Sequence, residues 1–308
     1  MAVNSIPAQG VRRPRISRTL RRDITGYLYI APWLLGFLIW MLAPMVASLV
    51  ISFTEWNILN DPEWIGLGNY VRMFDPTVHT GQTLYNTAYV TVIGVPLQII
   101  AALLIAQLLN YKGAAVNVFR TIFYLPVITP AVASALVWLW IFNVEFGMAN
   151  VLLRLLGLPE QRWFLDPNLS KPLFIVMGLW AIGGRMVIFL GGLQSVPESL
   201  YDAAKVDGAN AIRRFFSITL PMISPVIFFV ITTSIIQSFQ TFTGAFIITG
   251  GGPVRSTLFI VLYIYRNAFE YLRMGFGCAL AWVLFTIVLI VTIIQFRLAK
   301  GWVYYEVD

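Results

Sequence analysis

FFSITLPMISPVIFFVITTSIIQSFQTFTGAFIITGGGPV, residues 215–254, runs for forty positions without one Asp, Glu, Lys, Arg or His. At about 1.5 Å per residue a helix of that length reaches some 60 Å, twice the ~30 Å hydrocarbon core of a bilayer. Thr249-Gly250-Gly251-Gly252-Pro253 stops helix at the far end, and Pro221 and Pro225 stand at the near end. The stretch therefore reads as one span, 220–248. Working outward, uncharged runs recur at 24–54, 80–111, 121–144 and 274–296, and 172–194 is broken only by Arg185. Each can supply the ~20 residues that a spanning helix needs. The expectation is an all-α, polytopic membrane bundle of six helices, roughly 27–53, 84–110, 120–143, 172–194, 220–248 and 274–297.

Composition agrees. Of 308 residues, 58% are apolar and 11% charged, with mean hydropathy +0.77. Soluble domains carry about 25% charged residues, which excludes a soluble enzyme or a disordered chain. The net charge is +7, and the location of the cations gives the topology. Arg12, Arg13, Arg15, Arg18, Arg21 and Arg22 precede the first span. Lys112, Arg120, Lys205, Arg213, Arg214, Arg297 and Lys300 fall in alternate connections, making thirteen cations on one side. Arg72, Arg154, Arg162, Lys171, Arg255, Arg266 and Arg273 make seven on the other. The positive-inside rule then predicts both termini in the cytoplasm. The expected organisation is an Arg-rich cytoplasmic tail (1–26), the six-helix domain (27–298) and a short cytoplasmic tail (299–308).

The loop at 54–83, with Glu55, Asp61, Glu63 and Asp75 against Arg72, reads as external. The first apolar run exceeds the 7–15 residues of a signal peptide's core, so it reads as a retained span. The arginines before it read as a topology signal and not as a nucleic-acid arm.

Several chemistries lack residues. There is no G-x-x-x-x-G-K-[ST] loop and no H-E-x-x-H, and the one histidine, His79, sits in a loop. The single cysteine, Cys278, makes neither an intrachain disulfide nor a metal cluster. The spans lack the repeated Asp, Glu or His of a proton relay, which leaves an ion-driven secondary carrier or an intramembrane enzyme little support. The chain is read as a non-enzyme without cofactor or metal of its own.

The segment SVPESLYDAAKVDGANAIRRFFSITLPMISP, residues 195–225, connects the fourth and fifth spans. Ser195 and Glu198 have capping-box spacing, and Pro197 suits a first turn. A short helix is expected over 196–206, closed by Gly208, with Asn210 capping the next helix. Leu200, Ala203, Ala204 and Asp207 share one small-sided face, with Tyr201 and Asp202 beside it. Two readings fit this face: close approach of another protein, with a carboxylate meeting an arginine, or a helix lying on lipid headgroups.

Here the chain resembles a family. Asp202-Ala203-Ala204, Gly208, Ile218 and Leu220-Pro221 are similar to the "EAA" signature of permease subunits in binding-protein-dependent ABC importers. Asp stands where the signature has Glu, one methylene shorter. The resemblance implies that the loop, about 195–220, forms a coupling helix in a cleft of a separate ATPase. Asp202 would pair with a basic group there, Ala203 and Ala204 would fill the cleft, and Gly208 would set the bend. It also implies the partners: a second similar permease, two copies of an ATPase that bind ATP and Mg, and an extracytoplasmic binding protein.

Further segments resemble the carbohydrate-uptake branch, of maltose and glycerol-phosphate type: Pro32, Pro44, Ser52-Phe53-Thr54-Glu55-Trp56, Gly66-Leu67-Gly68-Asn69-Tyr70, Leu125-Pro126, Pro130 and the 249–253 turn. They imply an oligosaccharide or glycoside as cargo.

The candidate substrate path comes from polar groups inside spans, which face bundle interiors. Ser234, Gln237, Ser238 and Thr241 recur at helical spacing with Gln240 adjacent. They suit hydrogen bonds to a sugar, or helix-to-helix contact. Trp180 is a stacking plate or ordinary packing. Arg185 lies about ten residues, roughly 15 Å, inside the fourth span. It reads either as a guanidinium for an acidic sugar or sugar phosphate, or as a structural group bonded to a neighbour.

Overall fold

The computed structural model describes residues 18–111 and 113–304. Residues 1–17 of the Arg-rich tail, Lys112 and the last four residues lie outside the described residues. The chain divides into two compact units, residues 1–50 and 51–308.

In the first unit α1 (Arg18–Phe37) continues through a π turn (Leu38–Leu42) into α2 (Ala43–Ser52). Pro32 is accommodated without a break. Thr25–Ser52 is long and apolar enough to cross a membrane, and its most apolar window buries nothing within the chain.

The second unit starts with β1 (Thr54–Glu55) and β2 (Glu63–Trp64), an antiparallel pair with Thr54 opposite Trp64. Then come α3 (Gly68–Arg72), α4 (Thr80–Leu108), α5 (Ala114–Ile128), α6 (Ala131–Ile141) and α7 (Met148–Leu155). They are followed by α8 (Pro167–Trp180), α9 (Gly183–Gln194), α10 (Glu198–Val206) and α11 (Ala211–Arg214). The chain closes with α12 (Leu220–Met222), α13 (Ser224–Phe239), α14 (Ile260–Tyr265) and α15 (Met274–Ala299).

Helix α4 is the axis, packed against α8, α9 and α13. Several of its inward positions are small (Thr87, Thr91, Gly94, Ala102, Ala106), which lets neighbouring backbones come close there. The same logic acts at Gly183, where a Cβ would run into the Phe123 carbonyl of α5. Two apolar layers result. One joins Phe174, Phe259, Ile260, Leu262 and Leu280 towards the strand end. The other joins Ala102, Ala106, Met186, Phe189, Ile223 and Val230 towards the 195–214 loop.

Three expected spans are not single straight helices. The third divides at Thr129–Pro130 into helices bent by 100°. Thr129 is extended (ψ 127°), the conformation that a following proline favours. The fourth bends by 47° between Trp180 and Gly183 and begins at Pro167, which puts Lys171 inside helix instead of a loop. The fifth bends by 68° near Ile223, and its straight part ends at Phe239, well short of residue 248. Among the described residues three helices are long and apolar enough to cross a membrane, or six if each bent pair is one span. The 254–273 connection is also no simple surface loop. Phe259 and Ile260 are at most 1% exposed, and α14 is part of the core.

Candidate functional site

The 195–214 loop projects from the bundle. No residue of α10 is buried. The expected capping box does not form. Ser195 still follows the turn of α9 (φ −83°, ψ −12°), so its hydroxyl donates back to the Gly192 carbonyl at 2.8 Å, and Pro197 precedes the first turn of α10. At the other end Gly208 adopts φ 76°, and its amide donates to Lys205 O (3.0 Å) while Ala209 N donates to Ala204 O (2.9 Å). That pair of bonds is a left-handed C-terminal closure, which glycine enters without a Cβ penalty. Asn210 caps α11 by accepting from Arg213 N at 2.8 Å.

Tyr201 ties α10 to the bundle, packed against the apolar layer of Phe189 and Ile223. The Tyr201 and Thr219 hydroxyls meet at 2.9 Å, so the helix is pinned to the π turn (Phe215–Thr219) that leads into the fifth span. Of the other expected contact residues, only Ala204 is partly covered. Asp202 is exposed and meets Lys205 Nζ at 2.8 Å. Ala203 and Asp207 are exposed and Ala204 is half-buried. Val206 and Ile212 are 89% and 70% exposed. A cavity of about 910 Å³ lies beside the loop, lined by the end of α4 (Gln107, Asn110), the start of α5 (Asn117, Arg120) and Tyr201 and Asp202. Arg120 closes the C-terminus of α4, donating to the Leu109 carbonyl at 2.6 Å and the Tyr111 carbonyl at 3.3 Å.

The intramembrane polar groups divide into bonded and open ones. Arg185 Nε donates to Ser234 Oγ at 2.7 Å, joining the fourth and fifth spans within one chain. Ser238 Oγ meets Thr91 Oγ1 of α4 at 2.8 Å. Thr241 lies beyond the end of α13 and donates to the Ser238 carbonyl at 2.8 Å, so the expected four-residue stripe does not persist as one helical face. Gln237 and Gln240 are exposed. Trp180 stands edge-on to Trp138, ring centroids 5.7 Å apart, at the bend of the fourth span.

Gln98 joins this set, although sequence reasoning passed over it. It is 9% exposed, lies against Gly178 of α8, and its carboxamide makes no hydrogen bond among the described residues. Its signal was present: a carboxamide in the middle of the uncharged 80–111 run. In the loop before α4, the Thr77 amide and then its hydroxyl hold the Asp75 carboxyl below its ordinary pKa.

Long apolar helices, three of them in bent pairs, and an exposed polar loop define a multi-pass membrane protein. Residues 94–303 match the binding-protein-dependent transport system inner membrane component family, and the chain belongs to it. It is 41% identical over 295 residues to the probable ABC transporter permease protein YesP of Bacillus subtilis (strain 168), covering 94% of this chain and 95% of that one. It is 34% identical over 280 residues to the sulfoquinovosyl glycerol transport system permease protein SmoG of Agrobacterium fabrum, covering 90% and 91%. Its fold matches a chain in the crystal structure of a bacterial alginate ABC transporter complexed with an alginate pentasaccharide-bound periplasmic protein. There the TM-score is 0.83 at 21% identity, over 94% of this chain and 99% of that one.

Proposed function

We propose that this chain is one of two permease subunits of an ABC importer for a carbohydrate, an oligosaccharide or glycoside. It has six spans, each bent pair counted as one, and both termini in the cytoplasm. It performs no chemistry on its cargo. A second permease completes the pathway, two ATPase copies bind ATP and Mg, and an extracytoplasmic binding protein delivers the sugar. The names of the relatives support the cargo class.

The observation that carries the mechanism is the projecting α10, free of burial yet pinned at its root by Tyr201 to Thr219. A helix without a fully buried residue can be gripped, and the Tyr201 anchor passes its displacement into the fifth span. Ala203 and Ala204 let another surface come close. The Asp202–Lys205 pair is exposed on both sides, and such pairs contribute about 0–1 kcal/mol, so Asp202 can exchange Lys205 for a basic group of the ATPase at little cost. Nucleotide-driven closure of the ATPase dimer then moves α10 and biases the permease between inward- and outward-facing states. Such coupling requires unequal affinity for the two states. Gln98, Gln237, Gln240 and Trp180 offer amide hydrogen bonds and a ring face to a sugar. The test is Asp202→Lys in the assembled transporter. ATP hydrolysis is expected to separate from uptake, and the ATPase to co-purify poorly. Normal uptake with full assembly would sink the coupling role.

A second reading, an anionic sugar or sugar phosphate as cargo, draws on Arg185. Only its Nε has a described hydrogen bond, and the terminal nitrogens that hold an anion bidentately make none among the described residues.

A further inference from the structure

At the strand end, the first loop of the second unit borders a separate open cavity of about 260 Å³ against the start of α15. We infer that it is a binding site for a single neutral sugar ring, a subsite outside the membrane path; this deepens the carbohydrate reading and rests on it.

Hydrogen bonds hold part of the wall in place. Asn69 is 4% exposed, and its amide donates to the Ser52 and Thr54 carbonyls at 2.9 and 2.8 Å. Gly275 N donates to Trp56 O at 3.3 Å, and a Cβ on Gly275 would strike the Thr54 carbonyl, so β1 lies directly on α15. The Trp56 indole N–H donates to Asn60 O at 2.9 Å, and Asn57 Oδ1 accepts from Asn60 N at 3.0 Å, which fixes the aromatic ring.

The chemistry selects the ligand. Glu55, Asp61 and Glu63 line the cavity together with Arg72 and Arg273. No salt bridge among the described residues joins any of these five, although both signs face one small space. Arg72 lies over the Phe276 ring, 5.5 Å from its centroid. A cationic guest would meet two guanidiniums and an anionic one three carboxylates. A metal ion is disfavoured too, since no group of three His, Cys, Asp or Glu among the described residues could hold one. Vicinal hydroxyls satisfy both sets at once, because each donates one hydrogen bond and accepts others. Trp56 supplies the apolar plate on which a sugar's C–H face lies. The volume lies below the ~300–1,000 Å³ of drug-sized ligand pockets, which fits one ring and not a chain of rings.

The test is saturation-transfer NMR on the full chain in nanodiscs, with the methyl glycosides of glucose, galactose, arabinose and rhamnose as probes. At least one glycoside is expected to receive saturation. Trp56→Ala and Glu63→Gln should each weaken its binding about tenfold, a change of about 1.4 kcal/mol. Trp56→Phe keeps a plate and should bind within about threefold of the parent. If Trp56→Ala fails to fold, Glu63→Gln, an exposed position, decides. Two results would overturn the site: no glycoside receives saturation, or both weakening variants bind as the parent does. If binding-protein stimulation is lost in the variants without any glycoside binding to the parent, the cavity is a protein-docking socket. Each of these results leaves the permease reading standing if the assembled transporter still imports carbohydrate. Failure of that import with the glycoside still bound would instead overturn the permease reading alone.

Discussion

The two ends of the second unit are built on opposite plans. At the strand end, the 250–260 segment is held by partners far away in sequence. Asn86 Nδ2 donates to the Arg255 and Leu258 carbonyls at 2.8 and 3.3 Å, Ser170 and Ser256 hydroxyls meet at 2.8 Å, and Ile260 N donates to Thr87 Oγ1 at 3.0 Å. At the other end, α10 is closed by its own neighbours and anchored at its root by Tyr201, through its bond to Thr219 and its packing on the apolar layer. The first plan makes a region that keeps its own shape. The second makes one that takes its position from whatever holds it. Stability and coupling are therefore expected to be sensitive to different ends of the chain.

The sharpest test of that contrast is Asn86→Leu. It leaves the buried Leu258 carbonyl without this donor, at about 1–3 kcal/mol for a buried group left unsatisfied, and also removes the bond to the part-buried Arg255 carbonyl. Thermal unfolding in detergent should shift down strongly, while the ATP hydrolysed per sugar imported by the surviving fraction stays unchanged. An unchanged unfolding temperature would remove the distinction between the ends. Arg185→Gln comes next, midway along the bundle. It breaks the Ser234 bond between two spans, and a charge-assisted bond is worth about 1.5–3 kcal/mol. Competition uptake assays with neutral and acidic sugars check its role. A changed preference supports the anionic reading, and lost assembly with unchanged preference supports a structural one. Tyr201→Phe is the smallest in stability, about 1 kcal/mol, yet it should raise the ATP hydrolysed per sugar imported. Equal coupling in parent and variant would mean that the Tyr201 anchor does not transmit motion.

The membrane class was legible because it depends on long uncharged runs, which a bilayer enforces residue by residue. The 80–111 and 274–296 runs correspond to the unbroken α4 and α15. The breaks were less legible. Pro96 and Pro126 lie inside helices while Pro130 divides one, and nothing local to a proline states which will happen. The burial of the connection after the fifth span, which carries Arg255, Arg266 and Arg273, was not legible. Its burial depends on hydroxyl and amide partners some 170 residues away, such as the Asn86–Leu258 pair. Of the loop, Gly208 and Asn210 were readable from their conformational needs. Ser195 was not, because its role depends on whether the preceding helix has ended. The partner of Arg185 lies 49 residues on, beyond any local pattern.

The π turn at Phe215–Thr219 carries one residue more than a regular helical turn, between the Asn210 cap and the bend at Ile223. A surplus of this kind can migrate along a helix one bond at a time. Each step rotates the passed segment by about 100° and advances it by about 1.5 Å. The root of the fifth span is thus wound more widely than the α-helical turns on either side of it.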